Sequence, residues 1–243
     1  MVCGLSAILY ALGALQTHNP DDFKKACWMI MLAILLDGLD GRIAVLTRSC
    51  SDFGVQYDSM ADLVSFGVAP AFLVTTHLQM QAGGAFKPTP ICWAMTLILV
   101  VCVALRLARF NLQIFEDEKK NFEGLPSPTP AGFIALLLLY FYDEESALHL
   151  PPVALFLAVI VLGGLMVSHI PYPSLKKSDF RKTTTPSSFL LVVFVFALVI
   201  MDPVRTLLLA ATGYILFGLV RYFSPAALTA HFSRLVVARK DSS

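Results

Sequence analysis

Charge is scarce in this chain. Asp, Glu, Lys and Arg make up 14% of the 243 residues, against about 25% in an ordinary soluble domain. That shortage, beside 57% hydrophobic residues and a mean hydropathy of +0.72, excludes an ordinary soluble globular protein. No excess of one sign exists either: 18 Lys and Arg face 17 Asp and Glu, so no basic surface asks for a nucleic-acid partner. Cys3, Cys27, Cys50, Cys92 and Cys102 form no CxxC pair, which argues against a disulfide framework and a zinc site. Walker and GxGxxG loops are missing, as are internal repeats and low-complexity tracts. The apolar start, Met1 to Leu15, has no basic region ahead of it and no clear cleavage site, so it reads as a helix and not as a signal peptide.

Long apolar runs take the place of what is missing. Uncharged stretches cover Met1–Pro20, Leu63–Phe86, Pro88–Leu105, Gly124–Tyr142, Leu150–Leu175 and Thr183–Met201, each near or above the roughly 18 residues of a membrane span. Ala26–Val45 and Thr206–Val220 complete the set. The expectation is an all-α polytopic membrane bundle of about eight transmembrane helices over residues 1–225. Residues 226–243 form a cytoplasmic tail, either a short amphipathic helix or a solvated segment. With the N-terminus inside, fourteen of the 18 basic residues fall on the cytoplasmic side, and Lys24, Lys25, Lys87 and Arg205 on the other. Both termini are therefore expected to be cytoplasmic.

Against this background four carboxylates stand out. Asp37 and Asp40 are i,i+3 near the cytoplasmic end of the second helix, and Asp58 and Asp62 are i,i+4 at the start of the third. Each pair projects from one helix side, and antiparallel packing of consecutive helices brings the pairs to one depth. An Asp at mid-membrane costs about 2.5 to 3.5 kcal/mol, so four cost about 10 to 14, less toward the interface. With Arg42 and Arg48 the basic residues of this stretch, divalent metal is the economical counter-charge, and hard oxygen ligands select Mg²⁺, Mn²⁺ or Ca²⁺. Gly38, Gly41 and Gly54 flank the carboxylates; they serve either close approach of a flat or bulky substrate group or tight helix packing.

These residues resemble the signature of the CDP-alcohol phosphatidyltransferase family, DxxDGxxAR followed by GxxxDxxxD, matched by Asp37, Asp40, Gly41, Ala44, Gly54, Asp58 and Asp62. Val45 stands where the signature has Arg. The resemblance implies two divalent ions, Mg²⁺ or Mn²⁺, held by Asp37, Asp40, Asp58 and Asp62 on the diphosphate of a CDP-linked lipid. It also implies Asp62 as general base, small residues that accept the cytidine, and a homodimer. Further segments, Asp62–Pro70, Arg106–Asn111, Phe122–Pro128 and Leu165–Ser174, resemble the branch whose substrates are CDP-diacylglycerol and L-serine. That branch implies an integral protein of the bacterial inner (cell) membrane with its site facing the cytoplasm.

Arg48, Arg106 and Arg109 are candidate binders of phosphate or of the acceptor carboxylate, with membrane anchoring the plain alternative for the latter two. Gly124, Pro126 and Ser127 read as a rigid turn that either shapes the acceptor pocket or simply starts a helix at Pro128. Tyr172, Lys176 and Lys177 read as interfacial anchors. Two alternatives remain: the same family with glycerol 3-phosphate or inositol phosphate as acceptor, and an ion-coupled transporter. The transporter would spread polar residues through the bundle and mirror its halves, whereas here the acidic pairs sit on two helices near one face.

Overall fold

The structure, a computed structural model, describes residues 1–47, 52–82, 89–115, 124–142, 150–168, 170, 172, 194 and 196–223, with the side chains of 42–47, 52, 113–115 and 223 left aside. Arg48, Lys176, Lys177, Cys50 and the 226–243 tail lie outside the described residues.

Described residues are helical wherever they are regular. Helix α1 (Val2–Thr17) turns back at His18, whose φ of 53° is left-handed, and α2 (Pro20–Thr47) begins at once. The start is well specified: Asn19 Oδ1 accepts the Asp21 N–H at 3.0 Å, Pro20 takes the first helical position, and Asp21 and Asp22 face the positive helix end. Ala7, Ala11 and Ala14 of α1 are fully buried, and their small side chains let α1 and α2 pack as a close hairpin.

The next span is one continuous helical run in three parts: α3 (Asp52–Asp62), a π-helical turn (Leu63–Val68) and α4 (Ala69–Gln81). The π turn starts immediately after Asp62, a placement typical of functional sites because the extra residue re-aims side chains without ending the helix. Gly4 of α1 lies against this turn; a Cβ there would fall 2.7 Å from Ser65 Cα. Helix α4 is the centre of the bundle, buried at nearly every position from Ala69 to Gln79 and packed by α1, α2, α5 and α6. Helices α5 (Pro90–Phe115), α6 (Pro128–Tyr142), α7 (Pro152–Val167) and α8 (Pro203–Phe223) follow, and residues 196–201 are helical as well. Seven of the eight expected helical segments are present, with α2 starting earlier than Ala26 and α3 extending the third segment back to Asp52; of the expected Thr183–Met201 segment, 183–193 and 195 lie outside the described residues.

Among the described residues three helices are long and apolar enough to cross a membrane: Phe53–Gln81, Pro90–Leu112 and Pro203–Tyr222. Large apolar side chains such as Leu9, Leu35, Trp93, Val153, Leu209 and Val220 face outward, as hydrocarbon surroundings allow and water does not. The four described cysteines, Cys3, Cys27, Cys92 and Cys102, are free thiols.

Candidate active site

Helices α2 and α3 bring the carboxylates together. Oxygen atoms of Asp37, Asp58 and Asp62 all lie within 4.8 Å of one another; Asp37 and Asp62 are half-buried and Asp58 is exposed. The carboxylates of Asp37 and Asp58 are the acidic neighbours of Asp62, which also borders the cation of Arg106. Asp40 is exposed and stands outside the trio. Asp37 and Asp40 are about 60° apart around the α2 axis, and where α2 meets α3 it is Asp37 that turns toward Asp58 and Asp62.

Three like charges at this spacing repel one another, and burial forbids water from screening all of them. The donor set is entirely hard oxygen, suited to Mg²⁺ or Mn²⁺ and unsuited to a soft metal. These residues therefore fit a divalent cation, which Asp37, Asp58 and Asp62 could hold.

The glycines near the trio differ in what they permit. A Cβ on Gly38 would meet nothing within 4 Å, so packing does not require glycine there and open space borders Asp37. Gly41 is half-buried and Gly54 exposed. Ala44 lies in α2, its side chain outside the described set.

Arg106 of α5 forms the second half of the site. Its Nη1 donates to Ser127 Oγ at 2.8 Å, its Nε is buried without a protein partner among the described residues, and Asp62 and Tyr214 are its electrostatic neighbours. Arg109, one turn on, is half-buried and also engaged. Helices α3 and α5 are held in register by Ser59 Oγ, which donates to Asn111 Oδ1 at 3.1 Å.

Ser127 is 1% exposed and sits in the turn that precedes α6. Gly124 has φ 88°, and a Cβ there would fall 2.5 Å from Met166 O; only glycine serves both the conformation and the close approach. Its N–H donates to Ile170 O at 2.9 Å and the Leu125 N–H to Leu165 O at 3.1 Å. Pro126 is half-buried, and its carbonyl accepts the Thr129 N–H at 3.0 Å. The turn is thus clamped to the end of α7, and Pro128 starts α6 as expected.

One expectation is corrected. Tyr172 is not an interfacial anchor: it is 5% exposed, its ring centroid is 5.6 Å from that of Tyr214, and its hydroxyl donates to Ile215 O at 3.5 Å. Sequence reasoning also passed over Ser59, Asn111 and Tyr214. Ser59 follows Asp58 directly, Asn111 closes the Arg106–Asn111 segment, and Tyr214 is a hydroxyl inside an apolar run; each position carried a readable polar signal.

Known proteins bear on the same residues. The family model for CDP-alcohol phosphatidyltransferase matches residues 1–170. A CDP-diacylglycerol–serine O-phosphatidyltransferase of Helicobacter pylori is 34% identical over 224 residues, covering 90% of this chain and 85% of the relative. One of the same name from Methanocaldococcus jannaschii is 31% identical over 202 residues, 80% of this chain and 82% of its own. An archaetidylserine synthase of Methanothermobacter thermautotrophicus is 37% identical over 153 residues, 62% and 58% of the two chains. The matched segment carries the whole carboxylate trio together with Arg106 and Ser127, so the residues that the bundle gathers are those the family model spans, and the chain belongs to the CDP-alcohol phosphatidyltransferase family.

Proposed function

We propose that this protein transfers the phosphatidyl group of CDP-diacylglycerol to L-serine, giving phosphatidylserine and CMP, at the cytoplasmic face of a bacterial inner membrane. The observation that carries the choice of acceptor is Arg106. It is a guanidinium beside Asp62 that donates to Ser127 and keeps a buried Nε–H without a protein partner among the described residues, a donor open to an amino-acid carboxylate. The printed names of the Helicobacter and Methanocaldococcus relatives point the same way.

The serine hydroxyl is a weak nucleophile at neutral pH, so a positioned base must take its proton as it attacks. Asp62 fills that role: its carboxylate borders Arg106, so an acceptor anchored there presents its hydroxyl to Asp62. The new bond joins serine Oγ to the lipid-side phosphorus. The bond from that phosphorus to the CMP oxygen breaks, CMP leaves with the electron pair, and the serine proton passes to Asp62. Asp37, Asp40, Asp58 and Asp62 would hold two divalent cations, Asp40 being recruited from its exposed position. Bound there, the metals would supply counter-charge for the diphosphate and the departing CMP. Gly38, Gly41, Ala44 and Gly54 leave room for the cytidine, Arg48 and Arg109 add positive charge toward the phosphates, and Gly124, Pro126 and Ser127 fix the acceptor side. Residues 1–225 form the catalytic membrane domain, which works as a homodimer, and 226–243 the cytoplasmic tail.

The test is CMP release by the purified protein with CDP-diacylglycerol and Mn²⁺, with serine, glycerol 3-phosphate, inositol or inositol phosphate offered separately. Serine alone should support turnover; release with a phosphate-bearing acceptor and none with serine would overturn the assignment.

A further inference from the structure

Helix α8 begins at Pro203, beyond the residues 1–170 that the family model matches, yet it reaches the site. Tyr214 lies within electrostatic reach of Arg106. One turn further along, Gly218 lies against the Tyr172 side chain so closely that a Cβ at 218 would overlap the ring. Tyr172 is therefore seated directly on the α8 backbone, its ring tilted against that of Tyr214 and its hydroxyl hydrogen-bonded to the Ile215 carbonyl. Two residues before Tyr172, the Ile170 carbonyl accepts the Gly124 N–H, and three residues after Gly124 stands Ser127, the partner of Arg106. A continuous set of contacts thus runs from the α8 backbone through Tyr172 and the Gly124 turn to Ser127, while Tyr214 lies within electrostatic reach of the same guanidinium. In a bundle where α8 otherwise turns Leu209, Leu216, Phe217 and Val220 outward, these inward residues have no need to be aromatic or glycine for membrane anchoring.

We propose that α8 sets the affinity for the amino-acid acceptor. Tyr214 acts as a positioning residue for the Arg106 guanidinium, and the Tyr172–Gly218 seat acts as a positioning contact for the Ser127 turn. The proposal rests on Arg106 receiving the acceptor carboxylate. It assigns α8 no part in holding CDP-diacylglycerol, because the carboxylate trio and its glycines belong to α2 and α3.

The measurement is steady-state CMP release by the full chain, with serine and CDP-diacylglycerol varied in turn. Tyr214→Phe keeps the ring and removes only the hydroxyl. It should raise the KM for serine about tenfold, equivalent to about 1.4 kcal/mol of acceptor binding, with kcat and the KM for CDP-diacylglycerol changed less than about threefold. Tyr172→Ala and Gly218→Ala should each raise the serine KM, and the double variant should be no worse than the poorer single, because both act through one contact. An unchanged serine KM in Tyr214→Phe, an equal rise in the KM for CDP-diacylglycerol, or multiplying effects in the double variant would overturn the proposal. If the parent protein turns over a different acceptor, the serine assignment fails while the Tyr214 test is read on that acceptor's KM; release with none of them overturns both.

Discussion

Two polar clusters among the described residues lie toward opposite ends of one continuous helical run in otherwise apolar surroundings. At the α3 end, Asp58 and Asp62 meet Asp37 across the α2–α3 contact. About 22 Å further along the same axis, by the rise of fifteen residues, α4 carries His77, Gln79 and Gln81. Gln81 Nε2 is 3.1 Å from His77 Nε2 and 3.4 Å from the Leu150 carbonyl, Phe23 stacks on Tyr142 with centroids 4.5 Å apart, and His77 lies edge-on to Tyr142 at 5.6 Å. Gln79 is 2% exposed, and both its side-chain polar atoms are without a protein partner among the described residues. The second cluster mixes neutral donors, acceptors and rings: His77 and Gln81 pair locally, and the unpartnered neutral amide of Gln79 costs only about 1 to 3 kcal/mol. The first sets three carboxylates against one nearby cation, Arg106, an imbalance that local pairing cannot satisfy. Burial of polarity is therefore no mark of function by itself; convergence of like charge is, because it calls for a partner from outside the chain.

The comparison is tested most severely by chelation. EDTA should abolish CMP release completely and excess Mn²⁺ or Mg²⁺ should restore it. Activity that persists in chelator would show that the trio tolerates its own repulsion, as the α4 cluster tolerates its unpaired amide.

Asp62→Asn should cost about 10²-fold or more in turnover, the usual scale for a lost general base, while CDP-diacylglycerol binding is largely kept because the amide retains shape and one oxygen. Asp37→Asn should instead weaken Mn²⁺ binding and turnover together. Equal loss of lipid binding in both variants would make Asp62 a ligand and nothing more.

Gly124→Ala comes next. A φ of 88° and the 2.5 Å approach to Met166 O make alanine strained by about 1 to 3 kcal/mol. The turn should shift and carry Ser127 off Arg106, visible as a lower melting temperature together with a raised serine KM. A lower melting temperature without any change in the KM would separate the turn from the acceptor pocket.

The smallest effect is expected at the other end. Gln79→Leu removes a buried amide that lacks a partner, so stability should hold or rise by about 1 kcal/mol and CMP release should stay within about twofold. A loss of activity there would erase the distinction between the two clusters.

Much of this was legible before any coordinates, for reasons that differ by residue. The carboxylates are visible because Asp is rare and costly in an apolar run, and the spacing 37, 40, 58, 62 implies convergence of two consecutive helices. Spacing does not show that Asp40 stands apart, because that depends on helix phase and tilt where α2 meets α3. The turn at Gly124 is readable from Gly and Pro, but its clamp to Leu165 and Ile170 joins segments about forty residues apart and has no local signal. Tyr172 misleads because a tyrosine between prolines and ahead of Lys176 and Lys177 fits an interfacial belt as well as a buried seat; only Gly218, 46 positions on, decides between them. His77 and Gln79 go unnoticed because the run from Leu63 to Phe86 lacks formal charge, and hydropathy averages neutral polar residues away.

Equilibrium Mn²⁺ binding to the purified protein, followed by loss of the free-ion electron paramagnetic resonance signal, tests the carboxylate site most directly. The wild type should bind Mn²⁺ in the absence of any substrate, with Asp37→Asn and Asp58→Asn each weakening it at least about tenfold and Gln79→Leu leaving it unchanged. Wild-type and Asp37→Asn proteins that bind Mn²⁺ equally, or not at all, would contradict a metal site built on Asp37, Asp58 and Asp62.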